Sequence, residues 1–403
     1  MNKDVKKLLV MFAFYSLSSG MLYNFQELWM GTNELSINSI SLVYSICALL
    51  TVLTIFICSN ILKTKYLKRF LSILMYSKVL LILLLFLLDT SGERFLIKLL
   101  IMLDYVIDVE LAISAYPLIS IVEKSDKTFA KKGLIYSLFY YIGAILTAFL
   151  LGKSIGFIEI SYNFYLLMAA ISLLIAYIIL RCVDVNKYLK KDNKEDSDAL
   201  DKIVSIAKKD KITKNYLLYI FTGNISFYTI NSLVLTLLVT NLSIEPSTAS
   251  YLLLGLGILA SIIGIIILSK LTLKNDYINI GIKFIGRMIT YLLVVLFTHK
   301  VVILIAIIYT RVLSESYSHV TDAPYINRFD GDLQLAFCNL KEMVGYFSRA
   351  IGTYLCGFAI TLDLRMAFLI AFVFVSIQIY FAYKSLRLRK EEAKWLATIG
   401  MKY

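Results

Sequence analysis

Long apolar stretches separated by short polar segments recur along the whole chain. Each stretch is close to the roughly 20 residues that a helix needs to cross the hydrocarbon core of a bilayer, so the pattern predicts an all-α membrane protein with twelve transmembrane helices. The predicted bounds are Leu8–Met30, Ile40–Leu62, Phe70–Leu88, Phe95–Val122, Gly133–Leu151, Ser161–Val183, Asn215–Thr240, Thr248–Ser269, Tyr277–Thr298, Val301–Asp322, Cys338–Ile360 and Met366–Leu386.

The composition agrees with this pattern and excludes a soluble domain. Hydrophobic residues make up 59% of the 403 residues and charged residues only 17%, whereas soluble domains are about 45 to 50% apolar. The five cysteines are scattered without CxxC spacing, which favours neither a metal site nor a disulfide framework. We therefore expect no cofactor, no metal and no enzymatic activity.

The net charge of +13 is distributed unevenly between alternate loops. Basic residues concentrate in one set, including Lys63 to Arg69 and the long segment Arg181–Lys214, whereas the other set carries acidic residues such as Glu34, Asp89 and Glu245. The positive-inside rule then predicts a protein of the cell membrane with both termini in the cytoplasm. Because orientation explains the basic charge, a nucleic-acid partner is not expected.

The long polar segment divides the chain into two related halves. A shift of 207 positions aligns the fourth helix with the tenth, so that Asp104 faces Arg311, Asp108 faces Glu315 and Pro117 faces Pro324. This repeat predicts two pseudo-symmetric six-helix bundles, residues 1–183 and 214–403, joined by a cytoplasmic central loop, residues 184–213.

Twelve helices, a basic central loop and two related halves resemble the major facilitator superfamily of secondary transporters over the whole chain. The loop Asn60–Phe70 keeps the basic residues typical of that family but lacks its Gly and Asp, and Gly143 is followed by Ala144 where drug antiporters of the family have Gly-Pro. The subfamily therefore stays open. The resemblance implies alternating access around a central cavity lined by helices one, four, seven and ten.

Ionisable residues within the predicted helices are the strongest functional candidates, because a charge at membrane depth is costly unless it faces a cavity or a partner. Asp104 and Asp108 are four residues apart and share a face of helix four, and Arg311, Glu315 and His319 share a face of helix ten. We expect these five residues to bind substrate or coupling protons, with Asp104 and Arg311 as a pair across the cavity. A static ion network that locks the two halves is the alternative.

Polar faces on helices one and seven are candidates for cavity lining, with ordinary interhelical hydrogen bonding as the alternative. They contain Tyr15, Tyr23, Asn24, Glu27, Asn224, Tyr228 and Asn231. Glu342 and Arg349 are seven residues apart on one helix face and could form a structural pair. The lysines and arginines at positions 78, 98, 283 and 287 are expected to reach the membrane interface by snorkelling.

Together these features predict a secondary active transporter that moves a small polar or zwitterionic organic solute by alternating access. The expected partners are the solute, protons and the lipid bilayer. Proton-coupled export is the preferred function. Uptake by proton symport and a transport-dead or lipid-handling membrane protein are the alternatives.

Overall fold

The computed structural model describes residues 3–32, 37–61, 64–88, 94–123, 126–150, 154–155, 158–159, 162–188, 199–232, 234, 238, 242–244, 246–270, 281–314, 322 and 324–398. Within several helices the backbone alone is described for some residues, so their side chains are left out below. Almost all of the described chain is helical.

Six long helices form the first half of the chain. They are α1 (Lys3–Thr32), α2 (Ile37–Ile61), α3 (Leu67–Leu87), α4 (Arg94–Val122), α5 (Asp126–Leu150) and α6 (Tyr162–Arg181). Single 3-10 turns lie at Thr64–Tyr66 and Asn186–Tyr188. Between α5 and α6 a small antiparallel hairpin pairs β1 (Ser154–Ile155) with β2 (Ile158–Glu159).

The second half contains the remaining described helices. They are α7 (Ala199–Lys209), α8 (Lys211–Asn231), α9 (Pro246–Lys270), α10 (Gly286–Phe297), α11 (Lys300–Tyr309), α12 (Gly331–Leu362) and α13 (Leu364–Thr398). A π turn, Gly281–Ile285, precedes α10, and a second, Thr310–Ser314, follows α11.

Each stretch predicted from the sequence overlaps one of these helices within the described residues, and α7 was not predicted. This short helix lies in the central segment that the sequence pattern assigned to a polar loop. Its Leu200 and Ile203 are three residues apart, share a face and are both buried, while Lys208 and Lys209 occupy the last turn. The helix packs this face against α12 and α8, so an amphipathic pattern too short to span a membrane still has a structural role.

The outer surface is strongly apolar, as expected for helices that face lipid. Large side chains such as Leu87, Leu296 and Phe297 are each more than 60% exposed. Within the described residues, five helical stretches are long and apolar enough to cross a membrane: Lys3–Leu22, Leu67–Leu87, Leu99–Val122, Phe164–Arg181 and Leu364–Ala393. These features indicate a multi-pass membrane protein.

Two hydrophobic clusters organise the interior. One is built almost entirely from α1 and α3 to α6, and the other mainly from α7 to α13. Contacts between the halves run chiefly between α2 and α12 and between α5 and α9. At the second contact Gly257 of α9 lies so close to the Tyr141 ring that a Cβ atom would overlap it. Small residues such as this glycine let membrane helices approach each other closely.

Helix α1 packs closely against α5 because both helices carry glycine where their backbones meet. A Cβ on Gly20 would overlap the carbonyl oxygen of Tyr140, and a Cβ on Gly143 would overlap the carbonyl oxygen of Leu17. The close approach fixes α1 against the bundle and, with it, the polar side chains that α1 presents to α4.

Charged residues at the helix ends connect segments that are distant in sequence. Lys7 donates to the carbonyl of Cys182, and Lys68 to that of Val183, at the C-terminal end of α6, where cations offset the helix dipole. At the start of α8, Asp210 accepts hydrogen bonds from the backbone amides of residues 212 and 213. Arg328 then joins Asp210 to Glu392 of α13 at 2.8 and 3.1 Å.

Candidate substrate and coupling site

A buried ion cluster joins α3 to α4. Lys78 of α3 has no solvent exposure, and its Nζ lies 3.4 Å from Oδ1 of Asp104. The same Nζ forms an ion pair with Oδ1 of Asp108, one helical turn further along α4. Two carboxylates therefore share one ammonium group, and with all three ionised the cluster carries one net negative charge.

Helix α1 completes the surroundings of Asp108. The hydroxyl groups of Tyr15 and Ser19 each donate to Oδ1 of Asp108 at 2.8 Å. The Asp104 side chain is 4% exposed, whereas that of Asp108 is 22% exposed. Asp108 is thus the carboxylate of the cluster that solvent can reach, and Asp104 lies behind it.

The position of Lys78 corrects the expectation that it snorkels to the membrane interface. It lies near the middle of α3, where the interface is out of reach, and ion pairs to α4 replace its hydration. Lys283 and Arg287 are likewise buried, at 6% and 3% exposure. Lys283 donates to the hydroxyl of Tyr219, and Arg287 to the side-chain oxygen of Gln378.

A cavity of about 180 Å³ lies beside the C-terminal half. Helix α8 contributes one wall and α12 the opposite one. The lining residues are Ile220, Asn224, Tyr228, Asp322, Lys341, Glu342, Gly345, Tyr346 and Arg349. Most of these side chains are polar or aromatic, and the cavity is comparable in size to one that holds a single aromatic ring.

Arg349 lies in a cage of tyrosine rings at one part of this cavity. Its Cζ atom is 4.7 Å from the ring centre of Tyr228, 5.4 Å from that of Tyr105 and 5.9 Å from that of Tyr346. The rings of Tyr105 and Tyr346 meet edge to face at 6.3 Å. Because Tyr105 belongs to α4 and the other residues belong to α8 and α12, the cage connects the two halves of the chain.

A second group of charges lines another part of the cavity. Lys341 forms ion pairs with Asp322 at 3.4 Å and with neighbouring Glu342 at 3.0 Å. Lys132 of α5 is 3% exposed and lies near enough to Glu342 for their charges to interact. Its ammonium group also lies 5.3 Å from the ring centre of Phe12. Basic groups from both halves therefore lie near the two carboxylates of the C-terminal half.

The structure brings together part of the set that the sequence predicted. Asp104, Asp108 and Tyr15 form the ion cluster, whereas Asn224, Tyr228, Glu342 and Arg349 line the cavity. Glu342 forms its ion pair with Lys341, and its pairing with Arg349 stays a prediction. The amide of Asn231 donates to the carbonyl of Phe227 in its own helix. Such a bond is typical of a polar residue within a helix.

The roles predicted for the remaining candidate residues stay predictions. Arg311 lies in the π turn after α11 and is partly buried, and its pairing with Asp104 stays a prediction. Glu315 and His319 lie outside the described residues, as do the side chains of Tyr23, Asn24 and Glu27.

Lys78 is the main residue that the sequence analysis placed wrongly. A lysine near the centre of an otherwise apolar helix is itself a signal, because snorkelling works only near helix ends. Lys341, Tyr105 and Tyr346 were also missed. They lie among ordinary interfacial and aromatic residues, and tertiary packing alone distinguishes them.

Comparison with known proteins agrees with this architecture. Residues 8–320 match the family model of the Major Facilitator Superfamily. No curated protein sequence matches the chain.

Solved structures give the same picture of the fold. The human organic anion transporter MFSD10 (TETRAN) aligns with 96% of this chain and 100% of its own, with a TM-score of 0.69 and 13% identity. A bacterial homologue of the iron transporter ferroportin in its outward-facing state covers the same shares, with a TM-score of 0.70 and 13% identity. The proton:xylose symporter XylE aligns over 94% of both chains, with a TM-score of 0.63 and 13% identity. Identities this low show a shared fold alone.

Proposed function

The chain belongs to the major facilitator superfamily, and we propose that it is a proton-coupled secondary transporter of a small polar or zwitterionic organic solute. The observation that carries this proposal is the buried cluster of Lys78, Asp104 and Asp108, in a chain that also has a polar cavity. Ionisable groups at membrane depth are costly, and they are kept chiefly where substrate or protons pass.

The proposed architecture has twelve membrane-spanning helices in two pseudo-symmetric six-helix bundles, residues 1–183 and 214–403, with residues 184–213 between them. Both termini lie in the cytoplasm, and the protein resides in the cell membrane. The sequence repeat, the uneven distribution of basic loops and the two hydrophobic clusters support this arrangement. Transport then occurs as the halves rock about their contacts at α2–α12 and α5–α9.

Asp108 is the proposed proton acceptor of the ion cluster. A proton carried by Asp108 would leave Lys78 paired with Asp104 and would bring the cluster from one net negative charge to none. Asp108 is also the more exposed of the two carboxylates. Glu315 and His319 remain proposed coupling groups on the opposite half.

The proposed solute site is the cavity between α8 and α12. Asn224 and Tyr228 offer hydrogen-bonding groups, and Arg349, Lys341 and Glu342 offer charges of both signs. Tyr105 and Lys132 bring the other half of the chain to the same region. The lining residues belong to the C-terminal half, and Tyr105 next to Arg349 brings the N-terminal half close to a solute held there.

Export remains the proposed direction, because the resemblance to the major facilitator superfamily favours it over uptake. Uptake by proton symport, in which solute and proton bind together, is the alternative.

The test compares the small-molecule content of cells that express the wild type, Asp108→Asn or the matched variant Glu110→Gln. Glu110 lies on the same helix but points away from Asp108, so its replacement controls for losing a carboxylate in α4. We expect the wild type and Glu110→Gln to change the cell-to-medium ratio of at least one solute. A protonophore should abolish the change, and Asp108→Asn should lack it.

Solute ratios that do not depend on the protein would contradict transport. Ratios that change with the protein but ignore both the protonophore and Asp108→Asn would retain transport and remove proton coupling.

A further inference from the structure

Basic side chains gather where three apolar helices of the first half end side by side. We infer that this surface binds the headgroup of an anionic phospholipid. The inference uses the position of the chain in a membrane, and it does not depend on the transported solute or on its coupling to protons.

The three helices are α1, α3 and α6, and each contains a stretch that is long and apolar enough to cross a membrane. The stretches in α1 and α3 begin at Lys3 and Leu67, whereas the stretch in α6 ends at Arg181. Helix α6 packs against both α1 and α3. The start of α1, the start of α3 and the end of α6 therefore meet at the same boundary of the membrane.

Hydrogen bonds between distant segments hold these ends together. Lys7 of α1 and Lys68 of α3 both donate to backbone carbonyls at the end of α6. The carboxylate of Asp4 forms ion pairs with Lys7 and with Lys187, which follows α6. The surface is thus built by the protein itself, and a ligand is not needed to assemble it.

This basic surface consists of residues 3–7, 64–69 and 181–188. Its two acidic residues are Asp4, which is buried and paired, and Asp184. Against them stand eight basic side chains: Lys3, Lys6, Lys7, Lys65, Lys68, Arg69, Arg181 and Lys187. Positive charge at a membrane boundary attracts anionic headgroups, and each basic residue near the surface strengthens binding by about fivefold.

Four of the basic side chains are exposed and take no part in building the surface. They are Lys3, Lys6, Arg69 and Arg181. Within the described part of the chain, no ion pair or hydrogen bond is found for these four side chains. Binding and assembly are therefore assigned to different residues, and the exposed ones can be replaced without breaking a described contact.

Apolar side chains continue from the basic surface along the outside of the helices. Ile73 lies four residues after Arg69, and Ile178 lies three residues before Arg181, so each pair shares a helix face. Both isoleucines are more than half exposed. An exposed cation one helical turn from an exposed apolar side chain fits a ligand with a charged headgroup above acyl chains. A soluble anion would leave the apolar part uncovered.

The second half neutralises its corresponding charges internally. There the start of α8 packs against the end of α13, as the start of α1 packs against the end of α6. Arg328 joins Asp210, at the start of α8, to Glu392 near the end of α13. The exposed cations of the basic surface have no such carboxylate partner within the described residues. A lipid phosphate would take the place of these carboxylates.

The two arginines indicate the kind of headgroup. A guanidinium group can form two parallel hydrogen bonds with the oxygens of one phosphate. The phosphate of phosphatidylglycerol has no cation of its own, whereas phosphatidylcholine carries an ammonium group that offsets its phosphate. The basic surface should therefore bind phosphatidylglycerol more tightly than phosphatidylcholine with the same acyl chains.

The first experiment measures the melting temperature of the purified full-length protein at a fixed detergent concentration. The probes are phosphatidylglycerol, phosphatidylcholine and diacylglycerol with identical chains, and glycerol phosphate without chains. We expect phosphatidylglycerol to raise the melting temperature most, and high salt to reduce this effect because exposed charges are screened. Equal stabilisation by phosphatidylcholine or diacylglycerol would overturn recognition of the charge. Equal stabilisation by glycerol phosphate would show a site for soluble anions and not for lipid.

The second experiment locates the site with a triple variant, Lys6→Gln, Arg69→Gln and Arg181→Gln. Its matched control removes three exposed charges from the second half, namely Lys211→Gln, Lys214→Gln and Lys384→Gln. Without lipid, both variants should melt as the wild type does, because the replaced side chains are exposed. The triple variant should need roughly a hundredfold more phosphatidylglycerol for half of the rise in melting temperature, whereas the control should match the wild type.

Single variants keep the assignment testable where the triple variant loses stability. Arg69→Gln and Arg181→Gln should each weaken phosphatidylglycerol binding by about fivefold. Arg69→Lys and Arg181→Lys keep the charge and should weaken it less. A triple variant that binds phosphatidylglycerol as tightly as its control would overturn the site, and so would single Gln variants that bind it as the wild type does.

Discussion

Lys78 Nζ lies 3.4 Å from Oδ1 of Asp104, and this ion pair joins two consecutive helices at a point with almost no solvent exposure. Asp108 shares the same ammonium group. Removing Lys78 alone would take away the ammonium group that the two carboxylates share. The loss of stability on substitution should therefore depend on the net charge that each variant leaves in the cluster.

We expect Lys78→Met to lower the stability of the protein by about 3 to 5 kcal/mol, the range found when one partner of a buried ion pair is removed. Lys78→Met combined with Asp104→Asn restores the original net charge of the cluster and should recover part of that loss. The melting temperature in detergent and the yield of folded protein measure both effects.

Lys384→Met is the matched control, because this lysine is exposed and its described contacts are with the hydroxyl and the ring of Tyr380. Additive effects of Lys78→Met and Asp104→Asn would contradict the cluster. The same cycle with Arg311→Ala tests the pairing that the sequence predicts for Asp104, since only a paired Arg311 would show coupling with it.

The contact of α1 with α5 provides a second prediction. A Cβ on Gly143 would overlap the carbonyl oxygen of Leu17, which belongs to the backbone and cannot move aside as a side chain can. Gly143→Ala should therefore destabilise the protein by about 1 to 3 kcal/mol through overpacking, and it should displace Tyr15 and Ser19 relative to Asp108. Loss of melting temperature together with loss of transport checks this prediction.

Gly255→Ala is the control for Gly143→Ala. Among the described residues, no atom outside the glycine's own stretch of helix lies within 4 Å of a Cβ placed on Gly255, which is within a helix as Gly143 is. Alanine there should be neutral or stabilise the protein by up to about 1 kcal/mol, because glycine loses more backbone entropy on folding. A Gly143→Ala variant as stable as Gly255→Ala would show that α1 and α5 do not meet as closely as described.

The sequence predicted the helices well because hydrophobic length is a property of local sequence. The helix predicted over Phe70–Leu88, for example, is found at Leu67–Leu87. The sequence pattern did not predict α7. This amphipathic stretch is short, and its apolar face can be recognised only when the structure shows α12 packed against Leu200 and Ile203. Helix ends also moved by a few residues where a π turn or a cap replaced the expected boundary.

The candidate site was predicted only in part, and the reason is geometric. Spacing along one helix showed that Asp104 and Asp108 share a face, but it could not show that α3 lies opposite that face. Lys78 was therefore assigned to the interface from its distance to the predicted helix ends, and its partners on α4 were missed. The tyrosine cage around Arg349 depends on three helices from both halves, and no periodicity within a single helix contains that information.

Orientation in the membrane is a third prediction, derived from charge alone. In a background without the five native cysteines, single cysteines at Glu34 and Glu245 should react with an impermeant maleimide added outside intact cells. Single cysteines within residues 190–201 should react only after the cells are opened. Reaction of the central segment in intact cells would reverse the proposed topology, because loops rich in lysine and arginine stay inside.

Asp210 provides the last prediction, a dependence of stability on pH. Burial favours the neutral carboxyl group, but hydrogen bonds from Thr213 and the ion pair with Arg328 outweigh burial, so the pKa of Asp210 lies below its ordinary value. A carboxyl group whose pKa is lowered by folding stabilises the fold above the pKa of the unfolded chain, about 3.9 for Asp. This contribution is lost as the pH falls through the lower pKa of the folded state.

We therefore expect Asp210→Asn to lower stability at neutral pH by about 0.5 to 1 kcal/mol, the range for a partly exposed ion pair. Below about pH 4 the variant and the wild type should converge, because protonation removes the same charge that the substitution removes. Melting temperatures in detergent from neutral to acidic pH measure this convergence. Asp201→Asn, an exposed carboxylate of α7, should follow the wild type throughout. A constant difference between Asp210→Asn and the wild type at every pH would show that Asp210 acts through its shape as a helix cap and not through its charge.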